Sequence, residues 1–228
     1  SSTAGATVTN NGCITTSGNS AAGDGISSSG ANATITNTDS GTITTSGRAA
    51  YGIYSAGANA TITNSGTITT SGSDAYGIYV DASGAMLSNL GTITADAGFF
   101  GIRVGGGSVV TLTNAQGGNT PLTDSGALPA TYNVLVPSLS SFGRLAVTSP
   151  TGSLTFGVDA ASVLAANRYT DVLTGVAASA ITNEETEFTL GRVAWTLTAG
   201  SAADSWDLLA RWLGPDAANT QTMVYLNS

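Results

Sequence analysis

The stretch TITNSGTITTSGSDAYGIY at residues 61–79 nearly repeats TITNTDSGTITTSGRAAYGIY at 34–54. This repetition constrains the fold more than any other feature of the chain. Aligned on the TITN element, the pattern starts at Ala6, Ala33, Ala60, Ala85 and Val110, at spacings of 27, 27, 25 and 25 residues. Periods in this range describe stacked units rather than a closed globule. Each unit carries three short apolar-centred pieces. The first is centred on Val8, Ile35, Ile62, Leu87 and Leu112, the second on Ile14, Ile43, Ile68 and Ile93, and the third on Ile26, Ile53, Ile78 and Ile102. In T-I-T, alternation turns Ile one way and both Thr the other. Pieces of three to five residues punctuated by Gly, Asn and Ser are too short for helices. Three strands per period, each with one inward apolar residue, specify a three-sided coil. Stacked coils place Ile on Ile about 4.8 Å apart. The predicted fold is all-β, a right-handed parallel β-helix.

Two further columns run through the repeat. Asn10, Asn37, Asn64, Asn89 and Asn114 fall at one register position after the first strand. Asn tolerates left-handed backbone at a corner, and its amide can bond its neighbours above and below, so the column reads as a structural ladder rather than a ligand site. Tyr51, Tyr76 and Phe100 precede the Gly of the third strand, with Asp24 in the earliest repeat. Alternation puts Tyr51 and Tyr76 on the side of Ile53 and Ile78, filling an interior corner. Tyr54, Tyr79 and Arg103 should face outward, after Ser27. This stripe either stiffens the coil by stacking or contacts a partner. The rows Thr34, Thr36, Thr61 and Thr63, and Thr42, Thr44, Thr67 and Thr69, also face outward. Of these, Thr36, Thr63, Thr44 and Thr69 are candidate interaction rows.

Composition removes several functions. With six Arg, no Lys and fourteen acids, the formal net charge is −8, so no basic face exists for nucleic acid. The chain has no His, which removes His-based triads and His-ligated metals. Cys13 occupies the place of Thr42 and Thr67 and has no second cysteine to pair with. Polysaccharide cleavage on a β-helix needs paired carboxylates about 5 to 10 Å apart. Asp24, Asp39, Asp74, Asp81 and Asp96 form no such acid ladder, so neither catalytic, cofactor-binding nor metal residues are expected. Calcium repeats are absent from the sequence, and GGGS at 105–108 reads as a turn. No apolar run reaches membrane-span length, and the first residues, SSTAGATVTN, lack the basic start and apolar core of a signal peptide. The expectation is either a cytosolic chain or a piece of a longer precursor, and a start and end in mid-pattern favour the second.

After Asn114 the repetition stops. QGGNTPLTDSGALPA leads to a segment with all three Trp and most of the larger apolar residues. Strands are predicted at 132–136, 144–148, 154–158, 170–173, 187–190 and 193–198. Because an open coil end exposes strand edges and interior, this segment is expected to cap it. The organisation is then coils over 1–118, a cap over 119–216 and a tail over 217–228.

YNVLV, SFGRLAVTSPTGSLTFGVD, RYTDVLTG and WTLTAGSAADSWDLLARWL resemble the end of a type V autotransporter passenger, its autochaperone or passenger-associated transport segment. The TITN coils are similar to the β-helical passengers of that family. The resemblance implies display outside the bacterial cell, anchored by an outer-membrane β-barrel absent from this sequence. It also implies that GPDAANTQTMVYLNS approaches a linker helix. It assigns packing and folding roles to Tyr132, Phe142, Gly143, Leu145, Phe156, Tyr169, Trp195, Leu197, Trp206 and Leu208. The implied partners are another copy on a neighbouring cell, a host or abiotic surface, and the precursor's own barrel during secretion. The expected function is a non-enzymatic adhesin stalk with an autochaperone, supporting adhesion, autoaggregation or biofilm. Two alternatives stay open: the spine of a passenger whose protease or esterase domain lies upstream, and a carbohydrate-degrading β-helix, which lacks its carboxylate cluster.

Overall fold

A four-residue strand cannot satisfy its backbone by itself, so each T-I-T piece needs partners in the coils above and below. In the computed structural model, which describes residues 1–96 and 98–214, it finds them in parallel register. The chain is an all-β, right-handed parallel β-helix of about seven turns with three sheets. The expected approach to a linker helix at 217–228 lies outside the described residues.

One sheet stacks β1 (Thr7–Asn10), β4 (Thr34–Asn37), β7 (Thr61–Asn64), β10 (Ala85–Asn89), β13 (Val109–Asn114), β15 (Thr131–Val134) and β17 (Thr155–Val158). A second holds β2 (Cys13–Thr16), β5 (Thr42–Thr45), β8 (Thr67–Thr70) and β11 (Thr92–Ala95). The third runs through β3 (Ile26–Ser28), β6 (Ile53–Ser55), β9 (Ile78–Val80), β12 (Ile102–Val104), β14 (Leu122–Ala127), β16 (Leu145–Thr151) and β18 (Asn167–Thr174).

The register aligns the apolar columns. Val8, Ile35, Ile62, Leu87, Leu112, Tyr132 and Phe156 stack in the first sheet, and Ile14, Ile43, Ile68 and Ile93 in the second. In the third, Ile26, Ile53, Ile78 and Ile102 continue into Asp124 and Val147. A buried carboxylate thus occupies an isoleucine place. Beside that column, Ser28 and Ser55 stack beneath Val80 and Val104, and both serine hydroxyls are buried without a partner.

The asparagines form a hydrogen-bonded ladder. Each amide nitrogen donates to the next amide oxygen, from Asn10 to Asn37 and Asn37 to Asn64 at 2.8 Å, Asn64 to Asn89 at 2.9 Å and Asn89 to Asn114 at 3.1 Å. The expected left-handed backbone is not there. It falls instead on Asn32 and Asn59, at φ of 56° and 57°, while the ladder residues end their strands in extended backbone. What selects Asn in the ladder is its amide, which saturates buried positions that no water reaches.

The second sheet stops after β11, and its last edge is closed by a side chain. Gln116 Oε1 accepts the Ile93 N–H at 2.7 Å and Nε2 donates to the Ile93 carbonyl at 3.0 Å. Its amide thereby takes the place of the next strand. Gln116 Oε1 also accepts from Asn89 at 3.0 Å, tying the ladder to the same cap.

Parallel pairing continues through β15, β17, β14 and β16, so residue 118 marks where the repetition ends and not where the coil ends. The geometry changes at β18, which pairs β16 in parallel and β21 (Ser205–Trp212) antiparallel. β20 (Val193–Ala199) and β19 (Glu187–Leu190) complete this antiparallel end. Six predicted C-terminal strands overlap observed ones; β14 and β21 were not foreseen.

Candidate functional site

Tyr54 and Tyr79 leave β6 and β9 one residue after the inward Ile53 and Ile78, so they emerge on the outer face. Tyr51 and Tyr76 join them there, contrary to the interior position that alternation gave them. The reason lies in the glycine between. The chain bends at Gly52 and Gly77, where a Cβ would run into the side chains of Ile68 and Ile93. Alternation counted back from Ile53 does not survive that bend.

The four rings form one continuous stack. Tyr51 and Tyr79 lie 4.7 Å apart and 9° from parallel, and Tyr51 and Tyr76 lie 5.7 Å apart at 22°. Tyr54 leans on Tyr51 and on Tyr79, with centroids 5.8 Å away in both cases. Offset stacking of this kind adds about 0.5–1.5 kcal/mol per pair beyond the buried area. At one end of the stack the Arg103 guanidinium sits 5.7 Å from the Tyr76 ring centroid and donates to Ser125 Oγ at 3.0 Å.

At the other end the column stops. The first coil carries Ser27 opposite Tyr54, and Asp24 in the sequence place of Tyr51. With Ala21 and Ala49 beside them, these small side chains leave an open cleft of about 300 Å³ between Tyr51, Tyr54, Tyr79, Asp24 and Asp81. Asp24 accepts the Tyr51 N–H at 2.9 Å. Asp81 accepts the Gly106 N–H at 3.0 Å and the Tyr54 hydroxyl at 3.4 Å. Among the described residues neither carboxylate has an ion-pair partner.

Burial raises the pKa of Asp24, against the pull of the Tyr51 N–H. Burial, then its tyrosine neighbours, push Tyr51 up to about 12. Burial and the Asp81 charge raise Tyr54 and Tyr79, with Arg103 opposing at Tyr79. These three phenols therefore stay protonated at neutral pH. The cleft combines electron-rich ring faces, the Tyr54 hydroxyl and two acids, which is an arrangement for recognition. Among the described residues no group of three His, Cys, Asp or Glu could hold a metal.

The other sequence-derived residues lie elsewhere. Thr36 on Thr63 and Thr44 on Thr69 stack in register as half-buried rows on the first two sheets. Cys13 is exposed and pairs in register with Thr42. Tyr132, Leu145, Phe156, Tyr169, Trp195 and Trp206 are buried at the C-terminal end, and Phe142 packs partly buried against them. Phe156 meets Tyr132 edge-on at 5.7 Å and Trp195 at 5.9 Å, while Phe142 meets Tyr169 at 5.3 Å. Trp206 Nε1 donates to the Val176 carbonyl at 2.7 Å.

Sequence reasoning treated Asp24 and Asp81 as isolated acids and did not single out Gln116. The signal for the cleft was the interruption of the Tyr columns by Asp24 and Ser27. Comparison of the chain with known protein families, with curated proteins and with solved structures found no match.

Proposed function

We propose that the chain is the C-terminal part of a surface-displayed autotransporter passenger, a non-enzymatic adhesin stalk with a folding cap. The observation that carries this reading is the contrast between the two ends of one coil. Thin isoleucine columns widen into Tyr132 and Phe156, which the antiparallel end covers with Trp195. Stacked coils contact only their neighbours, so a well-packed terminal unit templates the coil laid on it. Exported C-terminal end first, such a chain would add one coil at a time through local contacts.

Adhesion in this reading comes from the polar rows. Thr36, Thr63, Thr44 and Thr69 offer hydroxyls at the strand spacing along the coil axis, which suits a wet, multivalent contact with a second copy or with another surface. Cells displaying the full precursor should clump. Paired glutamate substitutions at Thr36 and Thr63, or at Thr44 and Thr69, should reduce clumping through like-charge repulsion. If neither display nor these substitutions change aggregation or attachment, the adhesin reading fails for this segment.

A further inference from the structure

The tyrosine stack is used twice over, and only one end of it is occupied. Its Arg103 end already shows which chemical group the column accepts, a guanidinium laid against a phenol ring and held by a hydroxyl. The opposite end presents Tyr51, Tyr54 and Tyr79 around a cleft of about 300 Å³, with Asp24 and Asp81 at its wall. Small-molecule sites begin at about this volume. No cation of the described chain reaches these acids as an ion-pair partner. The chain, at a net charge of −8, adds a favourable field for any approaching cation.

We propose that this cleft is a binding site for a guanidinium group, as carried by an arginine side chain of a partner polypeptide. A planar cation fits the space that the missing ring would have filled and is attracted by the negative ring faces of the stack. Its N–H groups match carboxylate oxygens, and Arg forms such pairs with fixed geometry where Lys does not. Asp81 is held in place for this by the Gly106 N–H and the Tyr54 hydroxyl, and Asp24 by the Tyr51 N–H. The assignment does not depend on where the chain is displayed or on whether the threonine rows adhere.

The test is an NMR titration of the whole chain with N-acetyl-arginine methylamide, against its uncharged counterpart N-acetyl-citrulline methylamide and against choline. The arginine compound should shift the ring resonances of Tyr54 and Tyr79 saturably and weaken as salt rises. The citrulline compound should bind at least about tenfold more weakly, the scale of one cation–π contact with a carboxylate beside it. Asp81→Asn and Tyr54→Ala should each weaken the arginine compound by a similar factor, with the isoleucine methyl spectrum unchanged to show a retained coil. The ligand series needs no variant, so it decides the matter even if a substitution perturbs folding. Equal binding of arginine and citrulline, or no saturable shift at about 50 mM arginine compound, overturns the proposal. Tighter binding of choline overturns the guanidinium assignment.

Discussion

Asp124 stands between Ile102 and Val147 in an apolar column and is only 2% exposed. Its carboxylate accepts the Ser125 N–H at 2.8 Å. Burial pushes its pKa from 3.8 up to about 7, against the Ser125 N–H and the field of Arg103 on the adjoining strand. In the unfolded chain the group titrates near 3.8, so the folded state holds the proton more tightly. Its contribution to stability is therefore fully present below about pH 3.8 and is lost as pH rises through about 7. A rise of about three in pKa corresponds to about 4 kcal/mol, of which roughly 2–3 kcal/mol falls between pH 5 and pH 8. Asp124→Asn keeps the shape and removes the titration. Guanidinium chloride unfolding followed by tryptophan fluorescence reports on the end that holds Trp195 and Trp206, and hydrogen exchange of the Leu122–Ser125 amides reports on β14 itself. Wild type should be more stable at pH 5 than at pH 8 by about 2–3 kcal/mol relative to the Asn variant. Parallel pH profiles for the two proteins would refute the reasoning. Asp124→Val should go further and stabilise at every pH above 4, because it restores the column.

Ser55→Val should raise stability by about 1–2 kcal/mol, since the hydroxyl is buried without a partner and the next two coils already carry Val80 and Val104; a chemical-denaturation midpoint that falls would contradict it. Asn64→Ala removes one rung of the ladder, leaving the Asn37 donor and the Asn89 acceptor short of a partner. It should cost about 2–4 kcal/mol, read as faster amide exchange in β4 and β10. Trp206→Ala removes a buried indole and its bond to Val176, at about 3–5 kcal/mol. If the chain is a displayed passenger, as proposed, this variant should be protease-sensitive at the cell surface, and unchanged resistance would count against a folding role for the antiparallel end.

The coil was legible because one inward residue per strand recurs at nearly constant spacing. Ile35, Ile62 and Leu87 announce a column without any knowledge of the third dimension. β14 was hidden for the converse reason, since Asp124 stands at the inward place that Ile102 holds in β12 and the register shifts near Gly126, at φ 95°. β21 was hidden because Ser205, Trp206, Asp207 and Leu208 are all buried in succession, which erases a period of two. The tyrosine cleft depended on a bend. Tyr51 and Tyr54 sit three apart across Gly52, and alternation holds only inside a straight strand. Gln116 was silent because a side chain imitating a backbone rung leaves no periodic trace.

The asparagine column also has a polarity. Every rung from Asn10 to Asn114 donates toward the C-terminus, and Asn37 cannot be turned around because its nitrogen also donates to the Gly41 carbonyl at 3.1 Å. Each rung therefore turns its amide oxygen toward the N-terminal neighbour, and in the proposed C-terminal-first assembly that oxygen is what an arriving coil would meet. The incoming chain must answer with an N–H₂ at one register position, and a slip by one residue brings Thr36 or Thr38 to that oxygen instead of Asn37. Under the proposed order of assembly the column would check each turn against the one laid down before it, because its hydrogen bonds run one way only.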